Sequence, residues 1–376
     1  GGAGMGGPFP GGKPGEDDAD TITSVTLNRV AIAASWAGAD GGGIYSAVPA
    51  NVNESIVSGN TSNANGGGIY NDAELSMMNT TVGRLLDAAA PVELTQPNTA
   101  ENGGGLFDTG SHTTTIAGSA INGNNAIGGG GIAGRAGVTI DLDNSTVSTN
   151  TATDVGGGIT ANGTLNLRNA TVMDNYADTD APGGGSGLNS FGGGNFNFNN
   201  TLLQNNQKLD NATKLPVVVN CGCTGPGPCT GGEMVSLGYN LEDGDSCALD
   251  PAVLQDQINT DAMLGALQDN GGLTETHAVA RGTPAIDAGD DAVCQTLVGL
   301  YGDVDQRGAG FRRRNDGNGD AVAVCDIGAF EAAALILGGG GGGCVMATTE
   351  RGFDPLFPLL LAVAGIYGVL RRRVLH

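Results

Sequence analysis

The sequence predicts an all-β chain that folds as a right-handed parallel β-helix, with a disulfide-containing C-terminal cap and one short C-terminal hydrophobic helix. The main observation is a phrase of glycines followed by one aliphatic residue, found at 41–44, 66–69, 103–106, 129–132 and 156–159, with a looser copy at 183–188. Its aliphatic positions are 25, 37, 26, 27 and 29 residues apart, and a period in this range is typical of stacked coils. Since one repeat cannot bury its own apolar face, the repeats must stack on each other.

A second phrase, Asn-x-x-Val/Ile/Leu, runs in step with the glycines and supports the same fold. Apolar and polar residues alternate through its copies at 140–147 and 165–172, and this period of two predicts strands. Coils of about 25 residues with three short strands would stack into parallel sheets at roughly 4.8 Å. Asparagines at one turn would then hydrogen-bond to their copies above and below. They are Asn28, Asn53, Asn79, Asn144, Asn169 and Asn200, with Gly118 in the position between Asn79 and Asn144.

The chain divides by composition into five segments. They are a flexible lead-in at 1–20, the repeats at 21–210, the end of the helix with its cap at 211–337, a glycine-rich spacer at 338–352, and a hydrophobic segment at 353–376. The lead-in shows no basic and apolar export signal, so we expect the sequence to be truncated at its start. The long spacing between Ile69 and Leu106 predicts an inserted loop, residues 84–98, that projects from the stack on the binding side.

The charge of the chain excludes one class of partner. The net charge is −23, and only Lys13, Lys208 and Lys214 are lysines. Nucleic-acid binding needs clustered Lys and Arg, so we expect no nucleic-acid partner. The same acidity would repel polyanionic substrates.

The cysteines indicate an oxidising compartment. None lies in the repeats; six follow them, and Cys344 stands apart from Cys221, Cys223, Cys229, Cys247, Cys294 and Cys325. Six cysteines without a metal-binding spacing predict disulfides. Cys221, Cys223 and Cys229 could form half of a zinc site, but no second pair completes four ligands.

Five phrases then occur in a fixed order. They are Ser236-Leu-Gly-Tyr-Asn-Leu241, Asp269-Asn-Gly-Gly-Leu-Thr-Glu-Thr-His277, Gly282-Thr-Pro-Ala-Ile-Asp-Ala-Gly289, Asp305-Gln-Arg-Gly308 and Cys325-Asp-Ile-Gly-Ala-Phe-Glu331. Over roughly 200–331 the chain resembles the choice-of-anchor Q domain of bacterial surface proteins, a right-handed β-helix family with varied anchoring signals. The resemblance implies a secreted, envelope-attached protein and carries over no catalytic residues.

The resemblance also implies two disulfides, Cys221 with Cys247 and Cys294 with Cys325. Cys223 and Cys229 would then close a small loop rich in glycine and proline. Since six cysteines allow fifteen pairings, this connectivity is one hypothesis among several.

The C-terminal tail predicts attachment to the cell envelope. Cys344 follows a glycine run, and the apolar run 356–370 ends at Arg371, Arg372 and Arg373. The apolar run is shorter than the ~20 residues that span a bilayer comfortably, and the arginines would place the C-terminus in the cytoplasm. The tail resembles the sorting signals of Gram-negative bacteria, most closely the JDVT-CTERM type, and MYXO-CTERM signals are similar. We expect an envelope sorting protease to act at Cys344, with a permanent single-span membrane anchor as the alternative.

Carboxylates provide the strongest argument for enzymatic activity. Asp141 and Asp143 lie two apart on a strand and face the same way, and Asp174 could join them from the next coil. Glycoside hydrolysis uses two carboxylates, whereas a lyase would need carboxylate-bound Ca²⁺ and a base such as Arg135 or Arg168. We favour the alternative that these aspartates form a solvated outer strand face.

A weak calcium-binding pattern occurs near the end of the cap. Asp316, Asn318 and Asp320 have the spacing of a Ca²⁺ loop, but Ala321 and Ile327 stand where Gly and Glu are required. We favour a flexible acidic loop and expect no cofactor.

Together these observations predict a non-enzymatic, exported protein of the cell surface or outer envelope, with a structural or adhesive role. Its ligand would be an extracellular glycan or protein, sought first at the loop 84–98. The alternative is a surface carbohydrate-active enzyme, a polysaccharide lyase or glycoside hydrolase, that uses the patch of Asp141, Asp143 and Asp174.

Overall fold

The computed structural model describes residues 23–87, 89–178, 184–210, 212–224 and 233–334. The lead-in, Cys229 and the whole tail with Cys344 and Arg371 to Arg373 lie outside these residues. The described part is mostly strand and holds several long parallel sheets stacked around a common core, as in a parallel β-helix or solenoid. Within it, no helix is long and apolar enough to cross a membrane.

Two eight-stranded parallel sheets run through the described residues. Sheet A contains Val25–Asn28, Ala50–Asn53, Leu75–Met78, Thr113–Ala117, Thr139–Asp143, Thr164–Arg168, Asn195–Asn199 and Met234–Ser236. Sheet B contains Ala31–Ala33, Ile56–Ser58, Thr81–Gly83, Ala120–Asn122, Thr146–Ser148, Thr171–Met173, Leu202–Gln204 and Leu241–Glu242.

A third parallel sheet follows the glycine phrases, and we call it the glycine sheet. Its strands are Ile44–Ser46, Ile69–Asn71, Leu106–Asp108, Ile132–Gly134, Ile159–Ala161, Leu188–Phe191 and Cys221–Thr224. A fourth sheet has Asn125–Ala126, Thr151–Ala152, Tyr176–Ala177, Gln207–Leu209 and an antiparallel Pro216–Val218. Trp36–Ala37 pairs with Thr61–Ser62, and the cap adds a hairpin of Leu264–Gln268 and Thr276–Val279.

The strand register places equivalent apolar residues directly above one another. In sheet A, Val52 pairs with Met77 and Leu142 pairs with Leu167. These side chains are fully buried and belong to one continuous core. Such columns are what the alternation of apolar and polar residues predicts, since only one side chain in two points inward.

Each glycine of the triplet has its own structural reason. The first has a positive φ, 61° to 72°, which glycine adopts at no steric cost. The second lies against the next coil, because a Cβ added at Gly67 would be 2.5 Å from the carbonyl oxygen of Gly104. A Cβ added at the third would approach a buried asparagine, as at Gly105, where Asn124 Nδ2 would be 3.0 Å away.

The asparagine positions are confirmed in part. Asn79, Asn144, Asn169 and Asn200 take the positive φ at one turn, and Gly118 does so between them. Asn28 and Asn53 lie one residue earlier, because Asn53 pairs with Met78. In those two coils Arg29 and Glu54 take the positive φ instead.

The continuous asparagine column lies at a different turn, and the sequence analysis missed it. Each buried side-chain amide donates to the Oδ1 of the next one at 2.8–3.0 Å. The same amides also donate to a strand carbonyl in the preceding coil, as Asn150 does to Ile121 at 2.9 Å. We call this column the asparagine ladder; its members are Asn60, Asn98, Asn124, Asn150, Asn175, Asn206 and Asn220.

The cap does not lie simply at the end of the stack. Met234–Ser236 and Leu241–Glu242 continue sheets A and B, but the residues that follow fold back along the outer face of sheet B. Thr146 Oγ1 donates to Gln306 Oε1 at 2.6 Å, and Ala329 N donates to Thr171 Oγ1 at 3.0 Å. A second apolar cluster forms there from Leu202, Leu241, Ala262, Ala285 and Ile327.

The cap also contains a helix that the all-β prediction omits. This helix, α1, spans Asp291–Tyr301, and the side chain of its N-cap Asp290 accepts from Ala292 N. Disulfides join Cys294 to Cys325 and Cys221 to Cys247, the two pairs that the family resemblance implies. Cys223 is also disulfide-bonded.

The inserted loop packs on its surroundings instead of projecting freely. It contains the short 3-10 helix Val92–Thr95. Ser58 Oγ donates to the carbonyl oxygens of Leu94 and Gln96 at 2.9 and 3.0 Å, and Leu86 N donates to Glu275 Oε1 at 2.6 Å. The loop is therefore joined both to sheet B and to the cap.

Candidate ligand-binding face of the glycine sheet

Three aromatic side chains stack on the outer face of the glycine sheet. Tyr45, Tyr70 and Phe107 follow the buried aliphatic residue of three successive phrases, and the register pairs them in one column. The ring centroids of Tyr45 and Tyr70 are 4.9 Å apart, and those of Tyr70 and Phe107 are 5.4 Å apart, with interplanar angles of 2° and 15°. Because the sheet fixes their spacing, the rings form a preorganised apolar surface, which we call the aromatic column.

The aromatic column ends at a cavity. The next two positions of the register hold small side chains, Ala133 and Thr160, so the space above Phe107 is not filled by a further ring. The cavity has a volume of about 190 Å³, and Phe191, 51% exposed, lines it together with Phe107. Arg135 extends over the Phe107 ring, with its guanidinium carbon 5.2 Å from the centroid.

Polar groups surround the apolar part of the cavity. Its lining includes Asn102, Arg135, Asp154, Thr160 and Asn162. In the orientation that satisfies its hydrogen bonds, the Asn162 amide donates to the carbonyl oxygens of Phe191 and Gly192 at 3.0 and 3.1 Å. This side chain therefore holds the turn that carries Phe191.

The electrostatics of this face are close to neutral. Arg135 and Asp154 contribute one charge of each sign to the cavity lining. Desolvation, together with the carboxylate of Asp40, raises the pKa of Tyr70, so its phenol keeps its proton at neutral pH. A few polar groups around an apolar cavity are typical of small-molecule sites.

The three aspartates singled out in the sequence do not form one site. Asp141 and Asp143 do face the same way, since Arg168 reaches both at 3.8 and 2.7 Å. Asp174 lies at another turn, beyond a strand of sheet B, where it accepts from Asn205 Nδ2 at 2.5 Å.

The expectation of a solvated strand face is wrong for Asp143. Its side chain is fully buried between Arg168, which donates to both carboxylate oxygens, and Tyr301 of α1, whose hydroxyl donates to Oδ2 at 2.8 Å. Asp141 is half-buried and accepts from Asn166 Nδ2 at 2.7 Å. These contacts join the cap to sheet A and leave Asp143 no access to a substrate.

The acidic loop at 316–320 uses its oxygens to bind its own backbone. Asp316 accepts from the backbone N–H groups of Gly319, Asp320 and Ala321, and Asp320 accepts from Val322. Among the described residues, no group of three or more His, Cys, Asp or Glu side chains is arranged to hold a metal ion.

The phrases that carry the family resemblance form a buried network inside the cap. Arg307 lies between the rings of Phe311 and Phe330, 4.0 and 3.7 Å from their centroids, and pairs with Asp305 at 2.6 Å. Burial raises the pKa of Glu331 to about 9, so this carboxyl is protonated at neutral pH. These side chains have a structural role, because they are buried and already bonded to one another.

Comparison with protein-family models, with curated proteins and with solved structures finds no match to this chain. The aromatic column therefore stands on its geometry alone. Its signal was present in the sequence, since Tyr45, Tyr70 and Phe107 come directly after the repeated phrase. Phe191 had no such signal, because only the register brings it next to the cavity.

Proposed function

We propose that the protein is a non-enzymatic, exported surface protein that adheres to an extracellular glycan or protein through the aromatic column. The observation that carries this proposal is the stack of Tyr45, Tyr70 and Phe107 on the outer face of a rigid sheet. Exposed aromatic side chains supply much of the energy of binding surfaces, because they bury a large area with little loss of conformational freedom. The loop 84–98 is a weaker candidate, since it packs against the cap.

The proposal includes the finer architecture and the family. The coils would be right-handed and about 25 residues long, and the segment 200–331 would be a choice-of-anchor Q domain. Register pairs such as Val25 with Ala50 and Ala50 with Leu75 support the coil length. The two disulfides, and the network formed by the family phrases, support the family.

The alternative of a carbohydrate-active enzyme is disfavoured by the aspartate geometry. A glycosidase needs two accessible carboxylates that flank the scissile bond. Asp143 is buried against Arg168 and Tyr301, and Asp174 lies at another turn.

The adhesive role is tested with cells of a Gram-negative host that display the full chain, with an export signal restored. We expect these cells to bind a surface coated with glycans or matrix proteins, and the double variant Tyr45→Ser/Tyr70→Ser to weaken that binding at least about tenfold. Leu273→Ser is the control, since Leu273 is 60% exposed but lies in the cap. Unchanged binding by the double variant, or no binding partner for the original chain, would contradict the proposal.

The route to the envelope is tested separately by intact-mass analysis of the fractionated cells. Processing by an envelope protease predicts a mature form that ends near Cys344 and is lost in Cys344→Ala. A full-length form in the inner membrane that keeps Arg371 to Arg373 would instead indicate the permanent single-span anchor. That result would contradict the sorting proposal.

A further inference from the structure

We propose that the cavity between Phe107 and Phe191 is a subsite for one neutral hexopyranose ring of a glycan. The inference rests on the proposed adhesive function, because it names the ligand class for the same face. It is carried by three properties of the cavity: the ring face at its wall, its volume, and its polar rim.

The aromatic column presents a free ring face only where it meets the cavity. Within the column the rings stack, so Tyr70 is covered on one side by Tyr45 and on the other by Phe107. Phe107 has Tyr70 on one face, and its other face turns to the cavity, where Arg135 extends over it. A flat, partly apolar ligand can stack there with Phe191 beside it.

The volume matches a single ring. Pockets for drug-sized ligands measure about 300–1,000 Å³, whereas this cavity measures about 190 Å³. The floor consists of small groups, Ala133, Gly134 and Ala161, so the depth depends on side chains that stay small. Neighbouring rings of a longer glycan would then extend along the edges of Tyr70 and Tyr45.

The polar rim matches hydroxyl groups. Asn102, Thr160, Asp154 and Arg135 offer both donors and acceptors around an apolar floor. A pyranose ring has the complementary pattern, with C–H groups on its faces and hydroxyls at its edge. A purely apolar ligand would leave these polar groups without water or a partner, which costs about 1–3 kcal/mol for each buried group.

The charge distribution favours a neutral ligand over an acidic one. The lining contributes one positive and one negative group, and Asp154 would face the carboxylate of any uronic acid close by. The chain as a whole carries a net charge of −23, which repels polyanions before they reach the surface.

The test measures affinity of the full chain for neutral glucan, mannan and galactan oligosaccharides, and for uronate-containing oligosaccharides of the same length. We expect a neutral series to bind, and Phe191→Ala and Thr160→Phe each to weaken this binding at least tenfold. Phe191→Ala removes one wall, and Thr160→Phe fills the cavity. Leu237→Ala is the control for loss of an exposed apolar side chain, since Leu237 is 55% exposed in the distant cap segment. Circular dichroism of each variant checks that it folds.

The outcomes separate the subsite from the adhesive function. If Tyr45→Ser/Tyr70→Ser loses binding but both cavity variants bind as the original chain does, the subsite is overturned and the adhesive face stands. Preferential binding of the uronate series, or of proteins alone, also overturns the subsite. If none of these variants changes binding, both proposals fail.

Discussion

At the scale of single residues, the stack depends on buried polar side chains as much as on aliphatic ones. Each member of the asparagine ladder satisfies its neighbours in two coils, so the amides replace hydrogen bonds that water would make at a solvated turn. The aliphatic columns and the triplet glycines could be predicted, because they recur in an obvious phrase. The ladder could not, since its asparagines follow variable residues and are 14 to 38 positions apart.

We expect Asn150→Ala to lower the free energy of unfolding by at least about 3 kcal/mol. The change leaves Asn124 Nδ2, the carbonyl oxygen of Ile121 and Asn175 Oδ1 each without a buried partner. Urea-induced unfolding measures the effect. Asn53→Ala is the matched control, since its bond to Asn28 is exposed and its loss should cost less than about 1 kcal/mol. Equal losses in both variants would show that the ladder has no special role.

His277 makes the contact between the cap and sheet B sensitive to acid. Its Nε2 lies 2.8 Å from Ser148 Oγ and its Nδ1 lies 2.8 Å from the carbonyl oxygen of Gly265. Desolvation lowers the pKa of His277 despite the nearby carboxylate of Asp174, so the folded protein holds this ring neutral. The unfolded chain, with a pKa of about 6.5, takes up the proton more readily.

The predicted effect is a loss of stability as the pH falls below about 6.5, because the unfolded state then binds more protons than the folded state. Above this pH the contribution of His277 is complete. His277→Gln, which cannot titrate, should lose less stability than the original chain between about pH 7.5 and about pH 5.5. Thermal unfolding across this range measures the difference, and parallel curves for the two proteins would refute it.

At the scale of elements, sheet B shows how the cap changes what a strand can bury. Strands such as Thr146–Ser148 and Thr171–Met173 are buried on both faces, although their outward residues include Thr and Ser. Parallel sheets covered on both faces are normally rich in aliphatic residues. Here the outward hydroxyls bond to the cap instead, as Thr146 does to Gln306.

This docking could not be predicted from the sequence. The contacts join residues 129 to 160 positions apart, and no periodic pattern announces them. Asp143 illustrates the consequence: its alternation with Asp141 suggests an exposed pair, yet α1 covers it through Tyr301. The family phrases marked the segment of the chain involved, but not the face on which it packs.

Tyr301→Phe should destabilise the docked cap by about 1–2 kcal/mol, because it removes a hydrogen bond to a buried carboxylate. Asp143 keeps its two bonds to Arg168, so the fold of the stack should survive. Hydrogen exchange would then show faster opening of α1 with little change in sheet A. Leu300→Ala tests an exposed neighbour on the same helix and should leave the exchange rates unaltered. Uniformly faster exchange throughout the variant Tyr301→Phe would contradict a local role.

At the scale of the whole described unit, the three long sheets have different outer faces. Sheet A shows a polar face that includes a ladder of Asp141, Asn166 and Asn197. Sheet B is covered by the cap, and the glycine sheet displays the aromatic column with its cavity. The register of parallel strands explains this division, because each column of the sequence becomes one line on the surface.

The most direct test of the account is a crystal structure of the full chain with a bound neutral oligosaccharide. The account predicts parallel coils, stacked rings of Tyr45, Tyr70 and Phe107, and one pyranose ring against Phe107 with Phe191 beside it. An oligosaccharide bound at another surface, or an aromatic column whose rings do not stack, would contradict it.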